Sequence, residues 1–134
     1  MVKSNIKAIF KSDIAKVWET VTDNKNYAWR SDLSKIEILN DGKKFVEYTK
    51  DGSPTMFTVT RKEPCSRYEF DIENKNMRGH WIGIFTETAD GTVIDFTEEV
   101  TVKNPFMKLL AGLYLKKQQR NYVNDLKKEL GETV

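Results

Sequence analysis

Between Lys35 and Val102 the chain reads as six alternating runs: KIEIL, KFVEYTK, TMFTVTRKE, SRYEFDIEN, RGHWIGIFTET and TVIDFTEEVTV. They are parted only by NDGK, KDGSP, EPCS, NKNM and ADGT. Spacers this short, several of them carrying Asp-Gly, form hairpin turns and make each run the antiparallel neighbour of the next. The middle of the chain is therefore a meander.

Upstream, Ser4, Ile6, Ala8 and Phe10 alternate with polar neighbours and read as a further strand. Ser12 is the expected N-cap of a helix over DIAKVWETVTD, where Ile14, Val17, Trp18 and Val21 recur at helical spacing and Asp13 suits the first turn. NKNYAWRSDL, holding Tyr27 and Trp29, reads as a short second helix or an ordered loop. Downstream, Asn104 and Pro105 make a cap and first turn for FMKLLAGLYLKKQQRNYVNDLKKEL, and Gly131 is the stop. A seven-stranded sheet has an apolar face to cover, and the C-terminal helix is the available cover. The expected class is α+β, a seven-stranded curved antiparallel sheet wrapped around a long C-terminal helix. Two short helices are expected between strands 1 and 2, and a single domain over residues 1–134.

Composition narrows the function. With 22 basic and 20 acidic residues the net charge is +2, too balanced for nucleic-acid binding by bulk electrostatics. Cys65 is the only cysteine, so no internal disulfide is expected and a reducing compartment is the natural reading. MVKSNIKAIFKSD lacks the continuous apolar stretch of a signal peptide, and no segment is apolar enough to span a bilayer. The expected location is cytoplasmic.

The order of elements, together with particular residues, resembles the START-like helix-grip (SRPBCC) superfamily, in its polyketide cyclase/dehydrase and lipid-transport type. The residues that carry the likeness are IKAIFKSDIAKVWETVTD with the downstream Trp29, VTRKEPCSRYEF with Glu63-Pro64 before the fifth strand, the Asp90-Gly91-Thr92 turn and the terminal LKKEL. They span essentially the whole chain, but they are helix, turn and core positions, which specify fold well and function poorly. The resemblance implies a helix-grip fold with a cavity for a small apolar molecule between sheet and helix.

One residue tests that implication. In GTVIDFTEEVTV, Ile94, Phe96, Val100 and Val102 share a face, and Glu98 sits among them. Burying an ionised carboxylate without a partner costs several kcal/mol. Glu98 is thus either near solvent at a cavity mouth or frayed strand end, turned outward by a bulge, or a polar anchor inside an apolar pocket. We prefer the anchor. A two-residue Asp90-Gly91 loop sets Phe85 opposite Phe96, Gly83 opposite Glu98, and Trp81 opposite Val100, leaving space beside the carboxyl. It also turns His80 outward, opposite Thr101. A three-residue loop ending at Gly91 slips the register by one and brings His80, Ile82 and Ile84 to that face instead.

The last helix carries two apolar stripes, Phe106, Leu109, Leu110 and Leu113 on one side and Leu115, Tyr122, Val123, Leu126 and Leu130 on another. Either the helix breaks near Gly112, or one stripe meets something other than the sheet. Lys103, Lys108, Lys116, Lys117 and Arg120 cluster around the first stripe, as membrane-surface contact would require, although a solvated face is the plainer reading. Arg120 falls near that stripe and is a candidate partner for Glu98.

No chemistry announces itself. His80 is the only histidine, no second His or Cys is available to share a metal, and no nucleophile elbow or phosphate-cradling glycine motif is present. No metal or cofactor is expected. The expected ligand-binding residues are Trp29, Phe57, Phe70, Trp81, Phe85, Phe96, Glu98, Leu109 and Leu113. The expected partner is a small hydrophobic molecule, ring-containing or lipid-like, held by a monomer or homodimer. A cyclase-type enzyme with Glu98 as acid/base, its second group among Tyr27, Tyr48 and Tyr68, is the alternative. An interaction module through Phe106–Leu113, with membrane contact the less favoured form, is the second alternative.

Overall fold

The computed structural model describes residues 1–133. Its elements run β1 (Val2–Phe10), α1 (Ile14–Thr22), β2 (Leu33–Leu39), β3 (Lys44–Thr49), β4 (Pro54–Glu63), β5 (Arg67–Glu73), β6 (Met77–Thr88), β7 (Gly91–Val102) and α2 (Lys108–Glu129). All seven strands join one antiparallel sheet in the order β1-β7-β6-β5-β4-β3-β2, so the meander closes by bringing β7 back to β1. The edges β1 and β2 do not pair, and the sheet stays open. This is the α+β helix-grip architecture expected from the sequence.

Alternation places the core. On β7, Thr92, Ile94, Phe96 and Val100 are buried, as are Ser4 and Phe10 on β1. Val17, Trp18 and Val21 of α1 cover one end of this face, with Trp18 edge-on to Phe85 at 4.9 Å. The second half of α2 covers the β1 side through Val123 and Leu126. Inside that contact Gln119 is buried and tied to the sheet: Ser4 Oγ donates to its Oε1 at 2.7 Å, and its Nε2 donates to Ser4 O at 3.1 Å. Because α2 packs on β1 first and β7 next, the inner face of β3, β4 and β5 is left uncovered beneath its first half.

Three local expectations are corrected, and the alternative left open at Gly112 is decided. Only α1 lies between β1 and β2; NKNYAWRSDL is a loop, pinned where Ser31 N and Oγ donate to Asp125 of α2 at 2.9 and 2.7 Å. The N-cap of α1 is Asp13, whose side chain accepts from Lys16 N at 2.8 Å, while Ser12 donates to Glu132. The helix α2 passes through Gly112 without a break. The β6–β7 register is shifted by two residues, because Thr88 pairs Gly91 and the turn is Ala89-Asp90.

That shift has a steric cause. Gly91 has φ +148, and a Cβ there would stand 2.1 Å from Phe10 O. The glycine is needed where β7 begins against the end of β1, not inside the turn. A shift of two preserves which face each side chain takes. Trp81, Gly83 and Phe85 therefore share the inner face with Phe96 and Glu98, but Trp81 opposes Glu98, Gly83 opposes Phe96, and His80 opposes Glu99 on the outside.

Candidate ligand-binding cavity

The uncovered inner face and the first half of α2 enclose a cavity of about 1290 Å³. This exceeds the roughly 300–1,000 Å³ usual for small-molecule sites, since the space runs out to solvent. Its mouth lies between the β3–β4 turn at Lys50 and Asp51, the β5–β6 turn at Lys75, and the chain entering α2 at Lys103 and Asn104.

Strand alternation builds the walls from aromatic rings. Phe70 and Trp81 stack at 4.7 Å and 2°, Phe45 and Phe57 at 4.9 Å and 4°, and Phe96 lies 4.7 Å from Trp81. Flat faces paired this way form a rigid apolar lining with few rotamers to lose on binding.

A polar group sits within that lining. Arg30, from the loop before β2, donates to Asp32 (3.1 and 3.0 Å) and to Glu47 of β3 (3.4 and 3.3 Å), and its guanidinium lies 4.8 Å over the Tyr122 ring. Burial works against the Arg30 charge, yet Glu47 and Asp32 outweigh it and hold the guanidinium pKa above its ordinary value. Burial also lifts the Glu47 carboxyl, and Arg30 offsets only part of that. Glu98 is the carboxyl left over. Burial, with the charge of Glu47 adding, pushes its pKa up to about 7, and Arg30 pulls the other way. Among the described residues no side chain donates a hydrogen bond to it. Near neutral pH this carboxyl can therefore either donate or accept a hydrogen bond. Burial pushes the Tyr68 hydroxyl up to about 12 and raises Tyr122 as well, so both stay protonated.

Of the residues expected from the sequence, Phe57, Phe70, Trp81, Phe96 and Glu98 line the cavity. Trp29 stands behind the wall, edge-on to Tyr122 at 5.3 Å, and Phe85 packs between Trp18 and Phe96 in the core. Leu109 and Leu113 point to solvent, because the stripe they share lies on the side of α2 away from the sheet. Helix residues Leu110, Tyr114 and Tyr122 line the space in their place. Arg120 is exposed, and the cation that acts on Glu98 is Arg30. The space expected beside Glu98 at Gly83 is filled, since the Trp81 indole covers that glycine.

Sequence reasoning missed Arg30 and Glu47. Glu47 carried a readable signal: KFVEYTK sets Phe45 and Glu47 on one face, the same irregularity that drew attention to Glu98. Arg30 lies in a loop without periodicity and carried none. No trio of His, Cys, Asp or Glu side chains among the described residues is placed to share a metal ion.

Among solved structures the fold recurs at low sequence identity. A Mesorhizobium loti protein matches with a TM-score of 0.82 at 16% identity, covering 98% of both chains. A conserved protein from Geobacillus kaustophilus matches with a TM-score of 0.84 at 14% identity, covering 97% of this chain and 95% of its own. A START superfamily protein from Mycobacterium smegmatis matches with a TM-score of 0.77 at 13% identity, covering 95% of each. No curated protein matches in sequence. The family described as polyketide cyclase / dehydrase and lipid transport matches residues 1–131, and the chain belongs to that family.

Proposed function

We propose that the protein binds a small hydrophobic, ring-containing molecule in the cavity between the sheet and α2, with Glu98 engaging the ligand's polar group. The observation that carries this reading is one unpartnered carboxyl set in a wall of stacked aromatic rings. Apolar surface supplies most of the affinity in such a site, and a single polar group orients the ligand. Family membership is consistent with ligand binding.

Denaturing the purified protein, extracting it with organic solvent and analysing the extract by mass spectrometry tests the reading directly. Titration with the apolar fluorophore N-phenyl-1-naphthylamine tests it without a known ligand. Saturable one-to-one binding, with a rise in Tm as the probe exceeds its Kd, is the expected result. An empty extract together with non-saturable probe binding would overturn it.

A second reading is favoured by the position of the Glu98 pKa near 7, the range that suits a general acid or base. In a cyclase- or dehydratase-type reaction Glu98 would take a proton from the bound molecule and return it. Glu98→Gln would then abolish turnover of the extracted compound while leaving its binding in place.

A further inference from the structure

The 3-10 turn Pro105–Met107 and the first two turns of α2, which follows it, present an apolar face to solvent. Phe106 is 91% exposed, Leu109 77% and Leu113 64%, and Leu110 and Tyr114 are more than half exposed. At 100° per residue Leu109, Leu110, Leu113 and Tyr114 share one side of the helix, with Phe106 just before its start. The same side continues into Lys117 and Arg120, with Lys116 flanking it. From Val100 to Asn124 there are five basic residues and no acidic one. The unbroken helix explains the uncovered stripe. Residues Leu115, Val123 and Leu126 seat the helix on the sheet, which leaves the Phe106–Leu113 side with no sheet to meet.

Contiguous exposed apolar side chains of this size mark a contact surface. Charge selects what the surface contacts. A second copy docking through the same face would bring the Lys116, Lys117 and Arg120 charges of both copies together across an apolar seam. An anionic lipid surface is complementary, since leucines and phenylalanine enter the acyl boundary while lysine and arginine heads stay with the headgroups. No helix among the described residues is long and apolar enough to cross a membrane, so the contact is peripheral.

We propose that the Phe106–Leu113 face of α2 docks on anionic phospholipid membranes. Met107, Leu110 and Tyr114 belong both to this end of the helix and to the cavity wall, and Lys103 stands at the cavity mouth. Docking therefore sets the mouth against the lipid, where an apolar ligand can pass without crossing water.

Flotation with phosphatidylcholine vesicles, with and without phosphatidylglycerol, tests this on the whole chain. Binding is expected only with phosphatidylglycerol and weakens as salt is raised. Leu109→Glu/Leu113→Glu is expected to abolish it. Each basic residue near an anionic surface contributes about fivefold, so Lys117→Glu/Arg120→Glu is expected to weaken it by at least about 25-fold. All four residues are exposed, and unchanged circular dichroism and N-phenyl-1-naphthylamine binding separate loss of docking from loss of fold or cavity. Absence of binding to phosphatidylglycerol vesicles, or binding unchanged in both variants, would overturn the proposal. A dimer in sedimentation that Leu109→Glu/Leu113→Glu dissociates would also overturn it, assigning the face to a second copy.

Discussion

The Trp81 indole lies over Gly83, two residues along the same strand, so closely that a Cβ on Gly83 would stand 2.4 Å from Cη2. The glycine is what allows the ring to lie down along the cavity wall and stack on Phe70 at 4.7 Å. Phe96 closes the other side, with its Cδ1 3.2 Å from the same Cβ position.

Gly83→Ala should therefore lift the indole off Gly83 and tilt it into the cavity. Overpacking of this kind costs about 1–3 kcal/mol. Because the displaced ring occupies ligand space, binding of N-phenyl-1-naphthylamine should weaken alongside the loss in urea stability. Near-ultraviolet circular dichroism should report the broken Trp81–Phe70 stack. An alanine variant with the wild-type spectrum and wild-type probe affinity would show that the ring position does not depend on the glycine.

Glu98 makes a pH-dependent prediction whose sign is opposite to that of an ordinary salt-bridged carboxylate. Its pKa is raised from 4.5 to about 7 in the fold, so between those values the folded chain holds a proton that the unfolded chain has lost. Stability contributed by the protonated form is complete below about pH 4.5 and declines as pH rises through about 7. A shift of that size corresponds to on the order of 3 kcal/mol. Water reaching the carboxyl from the cavity mouth screens part of it, leaving about 1–2 kcal/mol. Glu98→Gln keeps the shape and removes the charge, so it should stabilise the protein by that amount at pH 8 and have little effect at pH 5. Urea unfolding of both proteins at the two pH values measures it, and equal differences at both would refute the shift.

Arg30 holds Asp32 and Glu47 together with side chains only 11%, 28% and 15% exposed. Removing the cation leaves two buried carboxylates facing each other, and breaking such a pair costs about 3–5 kcal/mol. Arg30→Met should reach the low end of that range, because Asp32 retains some solvent. The double variant Arg30→Met/Glu47→Met should recover much of the loss, since no buried carboxylate is then left at position 47. Arg120→Met, at an exposed position, should change stability by less than about 0.5 kcal/mol. Chemical denaturation of the three variants decides between a buried charge cluster and a dispensable one.

The sheet was legible because its information is local. Short turns fix neighbours, and alternation fixes faces, so a register wrong by two residues still set Trp81, Gly83 and Phe85 on the correct side. The register itself was not legible: Gly91 answers to Phe10 O, more than eighty positions away in the chain. The two stripes of α2 were also readable, but the choice between a break near Gly112 and a stripe left off the sheet was not, because periodicity does not say whether a stripe is covered by its own chain. The cavity's charges divide the same way. Glu98 and Glu47 stand out against strand periodicity, whereas Arg30 reaches them from a loop whose path is set by Asp125 and Tyr122.

The outer face of the sheet supplies a switch that a single resonance can follow. His80 is the only histidine, and its ring sits between two carboxylates of β5, with Nδ1 2.7 Å from Asp71 and Nε2 2.9 Å from Glu69. Partial burial opposes the charged ring, but hydrogen bonds to Glu69 and Asp71 outweigh it and raise the His80 pKa. The same contact, with Arg67 Nε at 2.6 Å, lowers that of Glu69. With both ring nitrogens facing acceptors, the doubly protonated imidazolium is the form that satisfies the site. Its stabilising contribution is complete below the ordinary histidine value of about 6.5 and disappears as pH rises through the higher folded value. The imidazole proton signals should therefore titrate with a midpoint above about 6.5, and Glu69→Gln should move that midpoint down. The stability advantage of the wild-type protein over His80→Gln should shrink from about pH 6 to about pH 9. A midpoint at or below the ordinary value, unmoved by Glu69→Gln, would mean that the two carboxylates do not hold the ring's second proton.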